Sequence, residues 1–126
     1  MADDIGWEIE HIPDEDSVYM GVRKDFPRNT VLQPGVFREH NSGMPVDWDK
    51  YSTPQETRSR AKNPLVNAVI EMNVGKVRRV QELDVIHQPT LANRAHSEVI
   101  GLSKESETFT EKRTLLLGIS TIVLSL

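Results

Sequence analysis

The chain contains no cysteine, which removes disulfide frameworks, thiolate zinc sites, iron–sulfur clusters and cysteine nucleophiles together. A reducing, cytoplasmic setting is the expectation that follows. Aromatic residues make up only 6% of the 126, so a stacking surface for nucleotides has few side chains to draw on. No glycine-rich loop of the P-loop or dinucleotide type occurs, which disfavours nucleotide binding by those routes. The four histidines, His11, His40, His87 and His96, include no His-x-His and no His-Glu-x-x-His spacing, so neither a metal nor another cofactor is expected. The start is acidic rather than basic and then apolar, so no targeting signal is expected there. Internal repeats and low-complexity segments are also lacking.

What is present is the balance of one globular domain. With 37% hydrophobic and 27% charged residues, a chain of this length can bury roughly two thirds of its unfolded surface. The net charge of -4 is unevenly placed. Asp3, Asp4, Glu8, Glu10, Asp14, Glu15 and Asp16 fall in residues 1–16, which carry no Lys or Arg, leaving 12 acids against 15 bases in residues 17–126. Such a block reads as a solvated acidic arm. The sharper alternative is an arm that covers a basic groove, in cis or on a partner, and Ile5, Trp7, Ile9 and Ile12 give the arm the spacing of a strand or docking segment. The division expected is therefore an arm over 1–16 and a single domain over 17–126.

Val18, Met20 and Val22 alternate with Tyr19, Gly21 and Arg23, the period of a half-buried strand. Residues 26–48, with Pro27, Asn29, Pro34, Gly35, Asn41, Gly43 and Pro45, read as turns around a short strand near Val36 to Arg38. Thr53-Pro54-Gln55-Glu56 predicts a helix start with a capping box, the helix running to about Lys62 before Asn63-Pro64. Val66, Ala68, Ile70, Met72 and Val74 predict a strand near the centre of a sheet. A basic turn at Lys76, Arg78 and Arg79 leads to a short strand at Leu83 to His87, and another begins at about Ser97. Thr108 and Glu111 offer a second capping box for a C-terminal helix carrying the apolar segment 115–126, although Gly118 and the β-branched Ile119, Thr121, Ile122 and Val123 weaken it. The fold expected is α+β, a mainly antiparallel sheet with one or two helices packed on a face.

That apolar segment is too short to cross a hydrocarbon core as a helix, which takes about 20 residues. Burial, self-association or docking of a protein partner, and shallow membrane contact are its three readings, burial within the chain or against a partner being favoured. Trp48 and Phe37 can close a pocket or plug the core beneath a loop; the plug is favoured.

Asn93-Arg94-Ala95-His96-Ser97-Glu98 is the densest run of functional side chains. Arginine, histidine and carboxylate within a few residues can hold a phosphate, orient a water and accept its proton. In an extended conformation His96 and Glu98 share one face. The candidate catalytic group is His96, Glu98, Asp47 and His87, with Arg38, Arg94 and Asn93 as candidate substrate ligands; the competing reading has His87 and His96 satisfying backbone groups at turns. Arg58, Arg60, Lys62, Lys76, Arg78 and Arg79 could form a basic face for nucleic acid, against which stand the net acidity and the absence of interleaved aromatics.

The order Phe37-Arg38, Met44-x-Val46-Asp47-Trp48, His87-x-Pro89 and Asn93-Arg94-Ala95-His96-x-x-Val99-x-Gly101 resembles a loose group of small bacterial proteins without a known activity, over residues 17–102. A fainter likeness, in strand order and an Arg-early, Glu-late layout, is to ADP-ribosyltransferase-like folds, without their nicotinamide pocket motif. Two functions are expected from these observations. The first is a non-catalytic accessory subunit of a multi-component system that binds another macromolecule. The second is a hydrolase or transferase acting on a phosphate-containing substrate, which requires Arg38, Asp47, His87 and His96 to converge on one cleft.

Overall fold

Alternating burial along each extended segment sets the architecture. The structure, a computed structural model, describes residues 6–23, 32–40 and 43–125. Six strands form one antiparallel sheet: β1 (Ser17–Arg23), β2 (Met44–Trp48), β3 (Asn67–Asn73), β4 (Asp84–His87), β5 (His96–Ile100) and β6 (Ser120–Leu124), in the spatial order β4-β5-β2-β1-β3-β6. On one face lie Val18, Met20 and Val22 of β1, Met44, Val46 and Trp48 of β2, and Ala68, Ile70 and Met72 of β3. That face is the core, and the period of two along each strand puts it there.

Among the described residues, three helices cover the sheet: α1 (Pro54–Ser59), α2 (Val74–Arg79) and α3 (Phe109–Gly118). α2 and α3 close the core face through Val74, Val77 and Leu116, while Phe37 and Ile12 fill it from the loops. α1 packs on the other face, where its buried Thr57 reaches Asp47. The fold is α+β. Trp48 and Phe37 are both fully buried in the core, the plug rather than the pocket mouth.

Local chemistry explains where the elements begin and end. The capping box at α1 is complete, with Thr53 Oγ1 accepting from the Glu56 N–H at 3.1 Å and Glu56 Oε1 accepting from the Thr53 N–H at 2.9 Å. α1 stops at Ser59, three residues short of the expected Lys62. The basic turn is instead helix α2, capped by Asn73 Oδ1, which accepts from Lys76 N–H at 2.9 Å. No strand forms at Val36 to Arg38; Pro34–Val36 is a 3-10 turn, because Pro34 suits a first helical position and cannot donate to a ladder. The strand of this region is β2, which proline had disguised.

The C-terminal segment is a further correction. The helix ends at Gly118 and the chain continues as β6, since glycine and the β-branched Ile119, Thr121, Ile122 and Val123 favour extended structure. Thr108 does not cap α3 with its side chain; its hydroxyl lies 2.9 Å from Ser106 Oγ instead. Among the described residues, no helix is long and apolar enough to cross a membrane.

Candidate functional site

The middle of the sheet is split. β1 pairs with β3 along all seven of its residues, but with β2 only at Val18–Trp48 and Tyr19–Asp47. The reason is one residue. The Trp48 N–H bonds to β5, through the Ala95 carbonyl at 2.8 Å, and the Asp49 N–H bonds to Ser17 on β1 at 3.0 Å. By this alternation position 45 should donate toward β1, opposite Gly21, and Pro45 has no N–H to give. Beyond Tyr19 the strands part around a cavity of about 510 Å³.

Asp47 stands at the end of this cleft, on the face opposite Trp48, and is 7% exposed. Its Oδ2 accepts from Thr57 Oγ1 at 2.8 Å and from Arg60 Nη1 at 2.8 Å, and its Oδ1 accepts from Asn93 Nδ2 at 2.9 Å. Ser52 Oγ lies 2.9 Å from Thr57 Oγ1 and accepts from Arg60 Nη1 at 3.0 Å. A carboxylate held by three donors is a fixed charge that organises α1, β2 and the loop before β5. His96 is the register partner of Asp47 on β5. Its Nε2 lies 3.5 Å from Glu98 Oε2, both side chains being partly exposed on the same face of the strand.

The cavity brings Arg38, Asp47, Asn93 and His96 together with Arg60, His40 and Arg23. His87 does not join them. It lies on the core face, 2% exposed, its ring at 5.0 Å from the Trp48 ring. Its Nδ1 accepts from the Glu10 N–H at 3.0 Å, which leaves the proton on Nε2 to be donated to the Arg94 carbonyl at 2.7 Å. Both nitrogens are used on backbone, and the convergence of Arg38, Asp47, His87 and His96 on one cleft fails at His87.

Arg94 also turns away from the cavity. Its guanidinium stacks on the rings of Trp7 and Tyr51, at 4.6 and 4.1 Å from their centroids, and stands 3.7 Å from Glu10. Glu10 further accepts from Lys50 Nζ at 2.7 Å and from the Tyr51 hydroxyl. These bonds, that from Lys50 foremost, hold the Glu10 carboxyl below its ordinary range. Farther along the arm, Arg78 bonds Asp14 at 2.6 Å, Asp84 at 2.8 Å and the Ile12 and Val85 carbonyls at 2.7 and 2.9 Å. The described part of the arm thus lies along the domain, with Glu10 set against Lys50 and Arg94 and Asp14 against Arg78; Asp3 and Asp4 lie outside the described residues.

The basic residues do not make one face. Arg60 is engaged with Asp47 and Arg58 Nε with the Pro64 carbonyl at 2.9 Å, on the α1 side. Lys76, Arg78 and Arg79 belong to α2, which packs on the core side of the sheet. What the sequence reading missed is the set Ser52, Thr57 and Arg60 around Asp47, and the set Glu10, Lys50 and Tyr51 around Arg94. The legible signals were Thr57 and Arg60 at helical spacing i, i+3, and a proline inside an otherwise alternating strand. Among known proteins, no family model, no curated protein and no solved structure matches the chain.

Proposed function

We propose that the protein is a non-catalytic accessory subunit of a multi-component system, binding a partner polypeptide along the outer edge of β6. One observation carries this reading. β6 ends the sheet, is hydrogen-bonded among the described residues only to β3, and belongs to a stretch, residues 114–126, without a charged side chain. Edge strands of monomeric proteins are blunted by charge, proline or a covering element. Here the β6 side chain of Ile122 is instead 40% exposed. An uncharged edge has nothing to offer a nucleic-acid backbone and suits an extended apolar segment added as a seventh strand. The setting in this reading is the bacterial cytoplasm.

The polar groups support the same choice. His87 is consumed by backbone, Asp47 by three donors, and neither orients His96. A hydrolase or transferase centred on His96 would have, among the described residues, only Glu98, at 3.5 Å, as its carboxylate partner.

The test is affinity capture from cells of the source with the wild-type chain and the Ile122→Lys variant, whose substitution is at an exposed position. A partner recovered by the first and reduced about tenfold or more with the second supports the proposal. Equal recovery, at unchanged thermal stability, contradicts it. Light scattering on the purified chain separates a foreign partner from a second copy.

A further inference from the structure

We propose that the partner strand received by β6 carries aliphatic side chains on the core face of the sheet and a lysine or arginine on the opposite face, over Glu71. The inference rests on the reading of β6 as a docking edge and adds to it the chemistry of the occupant.

Strand parity fixes what the edge offers. The Asp49 N–H bonds to Ser17 at 3.0 Å, so the odd-numbered residues of β1 turn their backbone groups to β2 and the even-numbered ones to β3. Carried across the registers of β1 with β3 and of β3 with β6, the same alternation turns Thr121 towards β3 and leaves the N–H and C=O of Ile122 on the outer edge. On the core face Ile122 is the cross-strand neighbour of Ile70, which is fully buried while Ile122 is exposed. The apolar surface therefore runs out to the edge and stops there uncovered. An aliphatic side chain on an added strand continues it.

The other face carries charge. Tyr19, Glu71 and Thr121 form one row across β1, β3 and β6. Glu71 is partly buried, and none of the ion pairs among the described residues includes it. Burial raises the neighbouring Asp49 carboxyl above its ordinary range, and the charges of Asp16 and Glu71 raise it further. The face beside the edge is thus acidic, which favours a cation on whatever docks there. Thr121, the last side chain of the row, is short and exposed. A strand added beyond it stands about 10 Å from β3, two strand spacings. The stems of a lysine or arginine and of Glu71 span that distance together across Thr121, whereas an acidic residue in the same place meets repulsion. A second copy pairing through its own β6 cannot supply the cation, because residues 114–126 hold none.

The experiment uses the full ¹⁵N-labelled chain and three capped seven-residue peptides, with valine at the odd positions, threonine at the second and sixth, and lysine, threonine or glutamate at the fourth. The pattern reads the same in both directions and so serves a parallel or an antiparallel addition. Expected are saturable shifts of the amides of residues 120–124 with the lysine peptide, at a Kd about fivefold or more below that of the glutamate peptide, the preference shrinking as salt is raised. Glu71→Gln should remove the preference, and Thr121→Lys, at an exposed position, should remove it by placing the cation in cis. Equal affinity of the lysine and glutamate peptides at β6, or a preference that survives in both variants, overturns this inference and leaves the docking edge standing. A dimer of the purified chain that Ile122→Lys dissociates overturns it as well. So does the absence of shifts at 120–124 with all three peptides, and capture of a partner undiminished by Ile122→Lys then removes the docking edge with it.

Discussion

Asp47 shows how a residue that reads as catalytic can be structural. It faces out of the sheet beside an arginine, a histidine and an asparagine, the composition of a reaction centre, yet its oxygens are bonded to Thr57, Arg60 and Asn93. Asp47→Asn keeps the shape, removes the charge and turns one acceptor into a donor facing Arg60 or Asn93. Since Arg60 is about a third exposed and can partly rehydrate, the expected cost is about 1–3 kcal/mol, read from urea unfolding; an unchanged midpoint would mean that the network contributes nothing. Glu10 gives a pH prediction at the same scale. Its carboxyl is held below the ordinary value of 4.5, chiefly by the Lys50 hydrogen bond and then by Tyr51. A carboxyl lowered in the folded state contributes stability that is present above its unfolded pKa and lost as pH falls through the folded value. The arm should therefore stay docked at pH 5 and release progressively below 4.5. Trp7, stacked on Arg94, reports the change by fluorescence, and Glu10→Gln should abolish its pH dependence in that range. A wild-type transition at neutral pH would refute the assignment.

Among the elements, β1 and the capping box of α1 were legible because their signals are local: a period of two in one, a Thr-Pro-x-Glu start in the other. β2 was hidden. Pro45 and the preceding turn residues mask its alternation, and only its pairing with β5 on one side and the top of β1 on the other makes it a strand. For β6 the apolar content alone does not choose between helix and edge strand; Gly118 and the β-branched residues after it, which already weaken the helix expectation, decide it. Pro45→Val restores the missing donor opposite Gly21 and should stabilise the fold by about 0.5–1.5 kcal/mol, read from urea unfolding. No gain in stability would show that proline does not cause the split. Gly101 has a steric role. Its φ is +97° and a Cβ there would lie 2.0 Å from the Glu82 carbonyl oxygen, while Lys112, itself buried, bonds Glu82 Oε1 at 2.6 Å. Gly101→Ala should cost more than about 3 kcal/mol or prevent folding, and thermal unfolding within a few degrees of wild type would contradict this packing.

Across the whole molecule, the charge separation in the sequence has a structural counterpart within the chain, because Glu10 and Asp14 meet Lys50 and Arg78. Which face each candidate residue takes was beyond reach of the sequence: His87 and His96 differ by nine positions in a similar context, and strand parity sends one into the core and the other to the cleft. The proposed function rests on the uncharged β6 edge. Site-specific photo-crosslinking tests it most directly, with the reactive group placed at Ile122 on β6 and, as the control, at the exposed Gln55 on α1. The account predicts that Ile122 yields one dominant adduct with a partner polypeptide in cells of the source while Gln55 yields none. Equal labelling from both positions, or no adduct from Ile122, would contradict it.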